Sequence, residues 1–284
     1  MLEWLDPKSG AVIVDGTLGA GGHARAILER LGAQGKLIGF DKDPLALDEA
    51  KKVLSCFGDN VMFIQDDFRH VAIQLRKSRI SGIDGLLLDL GVSSMQLGEP
   101  GRGFSFQEEG PLDMRMDPAQ ALTAREIVNR YPKNRIQEIL WNYGEERFAK
   151  RIADRIADTR SKRRIETTTE LESIIYQAVP AFYQHGRIHP ATRSFQALRI
   201  AVNEEVEALQ ELLAQVLALL NIRGRIVIIS FHSLEDREVK TAFRRFSDEK
   251  KGRILTKRPV QATPRETDEN PRSRSAKLRA FEKL

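Results

Sequence analysis

Between Val12 and Asp43 an apolar strand breaks into a glycine turn, a helix follows, and a second strand ends on a carboxylate. Val12-Ile13-Val14 is a β-branched run, and Asp15-Gly16-Thr17-Leu18-Gly19-Ala20-Gly21-Gly22-His23 is a turn too tight for ordinary side chains. Ala24, Ile27, Leu28 and Leu31 then recur at helical spacing up to a stop at Gly32. Lys36-Leu37-Ile38-Gly39-Phe40 forms the second strand, closed by Asp41. Glycines between strand and helix let backbone N–H groups approach a ligand, and an acid about 20 residues further on can accept the hydroxyl hydrogens of a ribose. The stretch outlines a nucleoside-cofactor pocket.

The identity of that cofactor is a separate question. Gly19-Ala20-Gly21-Gly22-His23-Ala24 also fits the dinucleotide pattern with alanine in its last place, so a nicotinamide cofactor stays open, as does a plain strand-to-helix turn. Asp15, at the end of the first strand, shifts the choice toward S-adenosylmethionine. That molecule has no pyrophosphate to seat on a helix N-terminus but carries an ammonium and a sulfonium, which an acid favours.

The rest of the first third repeats the alternation. Leu45, Leu47, Ala50, Val53 and Leu54 follow Pro44 as a helix, and Val61-Met62-Phe63-Ile64 is a strand running into Gln65-Asp66-Asp67-Phe68. Phe68 is placed to stack on an adenine, its alternative being a core phenylalanine. Val71, Ile73 and Leu75 make a further helix before the near-continuous apolar run of residues 83–90. Such runs are strands buried on both faces, so the expected fold is α/β, with a doubly wound, mostly parallel sheet. Ligands then lie beyond the C-terminal strand ends, which carry Asp15, Asp41, Asp66, Asp67 and Asp89.

From Glu99 the strand pattern stops and amphipathic helices take over, so residues 99–193 are expected to form an inserted all-α domain for substrate recognition. Residues 1–98 and 194–284 then make the cofactor-binding domain. Within the insertion, Arg135, Arg147, Lys150, Arg151 and Arg155 recur at helical spacing and residues 160–164 are basic, as a solvated face or an anion-binding one. Residues 196–220 read as one long helix, Arg225-Ile226-Val227-Ile228-Ile229-Ser230 as a fifth buried strand, and Ser233 with Asp236 as the cap of the following helix. Residues 253–256 and 275–281 are candidate closing strands, separated by a polar loop over residues 259–271.

Composition narrows the class. No apolar run reaches the roughly 20 residues of a bilayer span, and the N-terminal residues lack a basic region and an apolar signal core, so a cytoplasmic protein without membrane contact is expected. The single cysteine, Cys56, reads as a half-buried structural thiol. Neither His185 nor His189 has metal-ligand spacing, and Gly19-Ala20-Gly21-Gly22 lacks the Gly-Lys-Ser/Thr ending of a phosphate loop, so neither a metal nor phosphoryl transfer is expected. Residues 237–284 hold 15 Lys or Arg against 7 Asp or Glu, a surplus greater than the +5 of the whole chain. A basic face of this kind attracts phosphate backbones.

Asp89-Leu90-Gly91-Val92-Ser93-Ser94-Met95-Gln96 sets a carboxylate, two hydroxyls and an amide in one loop at the sheet's rim. An exocyclic aromatic amine is a poor nucleophile because its lone pair is delocalised into the ring. A carboxylate accepting its N–H hydrogens, Asp89 or Asp113, would draw the nitrogen toward tetrahedral geometry. As a strand-end acid, Asp89 reads first as holding the cofactor rather than acting on the substrate.

Several of these segments together resemble one family. They are Asp15-Gly16-Thr17 with Gly19 to His23; Asp41-Lys42-Asp43-Pro44; Leu88 to Ser94 with Gln96-Leu97; Arg102-Gly103-Phe104-Ser105-Phe106 with Gly110 to Asp117; Tyr143-Gly144-Glu145-Glu146-Arg147; His189-Pro190-Ala191-Thr192-Arg193; and Ser230 to Arg237. The chain resembles, over nearly its whole length, the bacterial 16S ribosomal RNA cytosine-N4 methyltransferases, the RsmH or MraW family. The resemblance implies a Rossmann-like class I methyltransferase that uses S-adenosyl-L-methionine to methylate N4 of a cytidine in the decoding centre of 16S rRNA, within the small ribosomal subunit. Its cofactor contacts would be Gly21, Gly22, His23, Asp41, Phe68, Asp89 and Gln96. On the acceptor side Asp89 and Asp113 would be joined by Arg115, His232 and Ser233, the alternative for His232 being a cap on the helix after the fifth strand. The family usually begins with a His-x-Pro-Val segment ahead of the point where this sequence starts, and it usually has acids where Gly98 and Gly101 stand here.

Three other classes bear comparison: a nicotinamide oxidoreductase, a non-enzymatic ribosome-binding module, and a DNA amino-methyltransferase. The last would normally carry a Pro-Pro-aromatic turn in place of Leu90-Gly91-Val92. The sequence is compatible with a monomer and with a homodimer.

Overall fold

The computed structural model describes residues 1–284, which divide into two units: residues 1–91 with 206–284, and residues 92–205. The first unit opens with α1 (Leu2–Leu5), then β1 (Val12–Asp15), α2 (Gly22–Leu31), β2 (Lys36–Asp41), α3 (Pro44–Val53), β3 (Val61–Gln65), α4 (Val71–Lys77) and β4 (Ile83–Asp89). Each strand ends on or next to an acid or amide.

The second unit contributes α5 (Ser94–Gly98), α6 (Ala124–Arg130), α7 (Lys133–Gly144), α8 (Ala149–Arg160), α9 (Thr168–Ala178), α10 (Ala181–Gln184) and α11 (Ala191–Asn203). The chain re-enters the first unit through α12 (Glu205–Leu219), β5 (Leu220–Ser230), α13 (Ser233–Asp248), β6 (Gly252–Ile254), β7 (Val260–Gln261), α14 (Pro264–Glu269) and β8 (Lys277–Lys283). No helix is long and apolar enough to cross a membrane.

The sheet runs β3-β2-β1-β4-β5-β8-β6, with β7 pairing on β8. The first five strands in that order are parallel, and β8 lies antiparallel to β5, β6 and β7. Because successive side chains of a strand alternate between faces, the apolar runs split into two cores. Val14, Ile38, Phe40, Leu86, Leu88, Ile226 and Ile228 pack with α4, α12 and α13. Ile13, Leu37, Leu87 and Val227 pack with α1, α2 and α3. With helices on both faces and the strand order reversing between β1 and β4, this is the Rossmann-like doubly wound α/β fold expected, and the reversal leaves a crevice at the ends of those two strands.

In the second unit α6 to α9 and α11 bury one continuous core, including Ile136, Leu140, Ile152, Ile156, Leu171, Ile175, Phe195 and Leu198. Removing each such side chain from water contributes roughly 1.5–3 kcal/mol. At Gly144 a Cβ would stand 2.7 Å from the Arg193 carbonyl, so only glycine lets α7 and α11 approach this closely. The apolar face of α11 belongs to this core, which is why the unit runs from Val92 to Glu205 rather than over residues 99–193.

Three local expectations are corrected. The single helix over residues 196–220 is two, because Glu204 adopts a left-handed φ of 51° and Asn203 spends its amide on tertiary hydrogen bonds. The polar loop over residues 259–271 contains β7 and α14, the latter capped by Thr263, whose hydroxyl accepts the Glu266 N–H at 3.2 Å. Cys56 is exposed rather than half-buried, since it lies in a 3-10 turn, Ser55–Asn60, that buries no residue.

Candidate active site

The crevice is built by backbone hydrogen bonds that converge on the glycine turn. The Gly16 N–H donates to the Leu87 carbonyl at 2.9 Å, and the Leu18 N–H to the Phe40 carbonyl at 2.8 Å, fastening the turn to β4 and β2. A Cβ on Gly16 would strike the Leu88 side chain and lie 3.2 Å from Cβ of Phe68, so that backbone sits against the sheet. Gly19 (φ 54°) and Gly21 (φ 84°) take left-handed conformations, and Gly21 caps α2. A Cβ on Gly19 or Gly22 would meet nothing within 4 Å, whereas on Gly21 it would press on Leu54 at 3.2 Å. Gly19 and Gly22 therefore border open space, and Gly21 serves the turn itself.

Asp41 shapes the same turn. Its Oδ2 accepts the Gly19 N–H at 2.8 Å and its Oδ1 the Asp43 N–H at 2.9 Å. Burial pushes its carboxyl above the usual range against the pull of those two amides. A carboxylate oxygen has more than one acceptor site, so each can still take a ribose hydroxyl.

Three titratable groups meet at the ends of β1 and β4 and the start of α2. Asp15 is 1% exposed; its Oδ1 accepts the Thr17 N–H at 3.2 Å, and its Oδ2 is buried without a partner. Burial pushes this carboxyl up to about 7, opposed by the Thr17 amide and by His23 and assisted by Asp89 and Asp41. His23 Nε2 lies 3.4 Å from Asp89 Oδ2, and that contact, against the pull of burial, holds the imidazole above its usual range. Asp89 Oδ1 is a second buried oxygen with no partner.

Beyond β3, Phe68 is half-buried beside the core and against Gly16. The two preceding acids are occupied. Asp66 faces His70 Nδ1 at 2.7 Å and accepts from Gln74, which hold it below the usual carboxylate range despite burial. Asp67 pairs with Lys42 at 3.1 Å and with Arg69 at 3.3 Å.

After β5 the cap is His232, the alternative reading of that residue, and the expectation of Ser233 with Asp236 is corrected. Ser233 is the exposed first residue of α13, and His232 is the N-cap. Its Nδ1 accepts the Glu235 N–H at 3.4 Å, and buried Glu235 returns Oε2 to the Phe231 N–H at 2.9 Å. The other ring nitrogen lies 3.0 Å from Glu235 Oε1 without hydrogen-bond alignment.

The remaining expected residues lie in the helical unit. Gln96 is 5% exposed, and its Oε1 accepts the Ser93 N–H at 3.0 Å in a capping box. Asp113 and Arg115 hold one another: Nε and one terminal nitrogen of Arg115 donate to the two carboxylate oxygens at 2.8 and 2.7 Å. The other terminal nitrogen donates to the Pro118 and Gln120 carbonyls, and despite burial Arg115 holds Asp113 below the usual carboxylate range. Thr17 was given no role from sequence, yet its hydroxyl accepts the Asp89 N–H at 2.6 Å; its place in the Asp15-Gly16-Thr17 segment of the glycine turn was the signal.

Buried carboxylate oxygens without partners are costly unless a cation or donor meets them. Asp15 Oδ2 and Asp89 Oδ1 therefore fit a ligand that brings positive charge, and they would repel a pyrophosphate. S-adenosylmethionine fits this donor set; a dinucleotide fits it poorly. The family model described as the MraW methylase family matches residues 1–284. The chain belongs to the MraW methylase family. The methylase is 48% identical over 300 residues to a protein of Pelobacter propionicus, and 47% identical over 299 residues to one of Geobacter sp. (strain M21). A Geobacter sulfurreducens protein is 48% identical over 299 residues. Each match covers 100% of this chain and 96% of the relative, and each relative is named ribosomal RNA small subunit methyltransferase H. The methylase is an S-adenosylmethionine-dependent enzyme.

Proposed function

We propose that this methylase acts on N4 of a cytidine in 16S rRNA of the small ribosomal subunit. The names of the three relatives support the RNA, and one feature of the crevice supports the amine: Asp89 Oδ1, buried at the end of β4 with an unfilled acceptor. Bound S-adenosylmethionine supplies an electrophilic methyl carbon on its sulfonium.

The chain's own residues do the rest. Asp41 accepts the ribose hydroxyls while keeping Gly19 and Asp43 in place. The first N–H groups of α2, at Gly22 and His23, have no intrahelical acceptor and face the ligand. Phe68 flanks the adenine, and Asp15 Oδ2 accepts from the donor's ammonium. Asp89 Oδ1 accepts an N–H of the target amine, localising the nitrogen lone pair, and takes the proton released as the N–C bond forms. His23 Nε2, 3.4 Å from Oδ2, sets a hydrogen-bond donor beside that carboxylate's other oxygen. The mutual pairing of Asp113 and Arg115 suits them to hold the recognition loop rather than to exchange protons, and the cap made by His232 and Ser233 supports the rim after β5. Gln96 holds the start of the helical unit, which recognises the substrate. The target base must leave any stack to reach the pocket.

The test incubates the protein with radiolabelled S-adenosylmethionine and small subunits lacking the modification, then digests the RNA to nucleosides. Label in N4-methylcytidine is the expected result. Label on another base, or on carbon 5 of cytosine, overturns the reading.

A further inference from the structure

In the helical unit an exposed aromatic ring is backed by a guanidinium and two further rings. Phe182, on α10, is 66% exposed. The Arg147 guanidinium lies 5.4 Å from its ring centroid, 5.0 Å from that of Phe148 and 4.7 Å from that of Tyr183. Phe148 meets Phe182 and Tyr183 edge-on, with centroids 6.2 and 4.9 Å apart. The support is anchored below: the Tyr183 hydroxyl donates to Glu146 Oε2 at 2.8 Å, and Glu146, fully buried, accepts the Phe148 N–H on Oε1 at 2.8 Å.

The charges around it are unspent. Arg147, Lys150 and Arg151, at the start of α8, are exposed and form no ion pair. Elsewhere in the same unit Lys133 pairs with Asp154, Arg135 with Glu138 and Arg163 with Glu170. An aromatic face beside unpaired cations matches a single nucleic-acid strand, which brings a π-face and a phosphate with every residue. An acidic peptide would use the cations and leave the ring unexplained.

We propose that Phe182, backed by Arg147, is a stacking platform for an unpaired nucleobase of the substrate RNA, with Lys150 and Arg151 holding the adjoining phosphates. The inference rests on the rRNA reading and names the surface through which the helical unit would act. Phe182 is a positioning residue for the RNA strand.

The test compares wild type, Phe182→Ala, Phe182→Trp and the double variant Lys150→Ala, Arg151→Ala. Methylation of unmodified small subunits is followed, together with binding of a fluorescein-labelled single-stranded RNA of mixed sequence. Phe182→Ala is expected to raise KM for subunits and Kd for the RNA about tenfold, with kcat, melting temperature and donor affinity unchanged. Phe182→Trp should restore both values. The double variant should lower the slope of log affinity against log salt by about 1.4, at roughly 0.7 per phosphate contact on a single strand, which Phe182→Ala leaves alone. Unchanged KM and Kd in Phe182→Ala, or a fall in kcat alone, overturn the proposal. Should wild type transfer no label to subunits, the rRNA reading fails, while the Phe182 comparison on the labelled RNA still decides the platform.

Discussion

The hydroxyl of Thr17 accepts the backbone N–H of Asp89 at 2.6 Å, so the glycine turn after β1 and the acid that ends β4 are held as one piece. Asp89 cannot shift without moving the turn, and the position of its unpartnered oxygen is set from both strands.

Thr17→Val keeps the shape and removes the acceptor, leaving a buried N–H unsatisfied. The expected loss is about 1–3 kcal/mol of stability, with weakened donor binding, and Thr17→Ser should keep the hydrogen bond and most of both. Chemical denaturation and calorimetry with S-adenosylmethionine check it. A valine variant that binds donor as wild type does would show that the tie does not position Asp89.

Asp15 makes donor affinity depend on pH. Burial pushes its folded carboxyl up to about 7 from an ordinary 3.8, and only the ionised form attracts an ammonium. Donor affinity should therefore fall by about tenfold for each pH unit below 7, and Asp15→Asn should bind weakly with that dependence gone. Stability without donor runs the other way. A folded value raised above the unfolded one gives stability that is fully present below about 3.8 and is lost as pH rises through about 7. Asp15→Asn should then melt later than wild type at pH 8, by up to about 4 kcal/mol, at roughly 1.36 kcal/mol per pH unit between the two ionisations, with the gap closing near pH 4. Thermal melts at several pH values without donor would sink this if the two proteins tracked each other throughout.

Much of the sheet was legible because strands buried on both faces cannot be anything but apolar. The runs ending at Asp15, Asp41 and Asp89 announced both the parallel order and the rim where ligands sit. What stayed hidden depends on partners distant in sequence. The break at Glu204 follows from the hydrogen bonds of Asn203 to residues 114 and 116, and periodicity alone carries the helix straight through. Short β7 is a strand only because β8 lies beside it. At the crevice, sequence marked the acids but not their state. Asp66 and Asp67 are spoken for by His70, Lys42 and Arg69, contacts that periodicity does not show, while Asp15 and Asp89 each keep a buried oxygen without a partner.

His232 separates a capping role from a catalytic one. Asparagine caps helices well and cannot carry a proton as imidazole does. His232→Asn should therefore keep both fold and turnover, while His232→Ala should lose about 1 kcal/mol of stability. A kcat for His232→Asn reduced a hundredfold at unchanged melting temperature would move His232 into the chemistry.

Asn203 pins the loop that carries Asp113 and Arg115. Its Oδ1 accepts the Met116 N–H at 2.7 Å and its Nδ2 donates to the Met114 carbonyl at 2.8 Å, both in buried surroundings, so a two-sided amide is needed. Met114 is itself left-handed, with φ 63°, a conformation costly for its side chain and held by these contacts. Asn203→Ala leaves a buried donor and acceptor without partners and should cost about 2–4 kcal/mol. Asn203→Asp keeps the acceptor, loses the donor and sets a charge against the Met114 carbonyl, so it should be at least as damaging. Because the unit spanning Val92 to Glu205 has its own core, calorimetry with S-adenosylmethionine should return near wild-type affinity for Asn203→Ala while RNA methylation falls. Equal loss of donor affinity and methylation would instead mean that the loop supports the donor site.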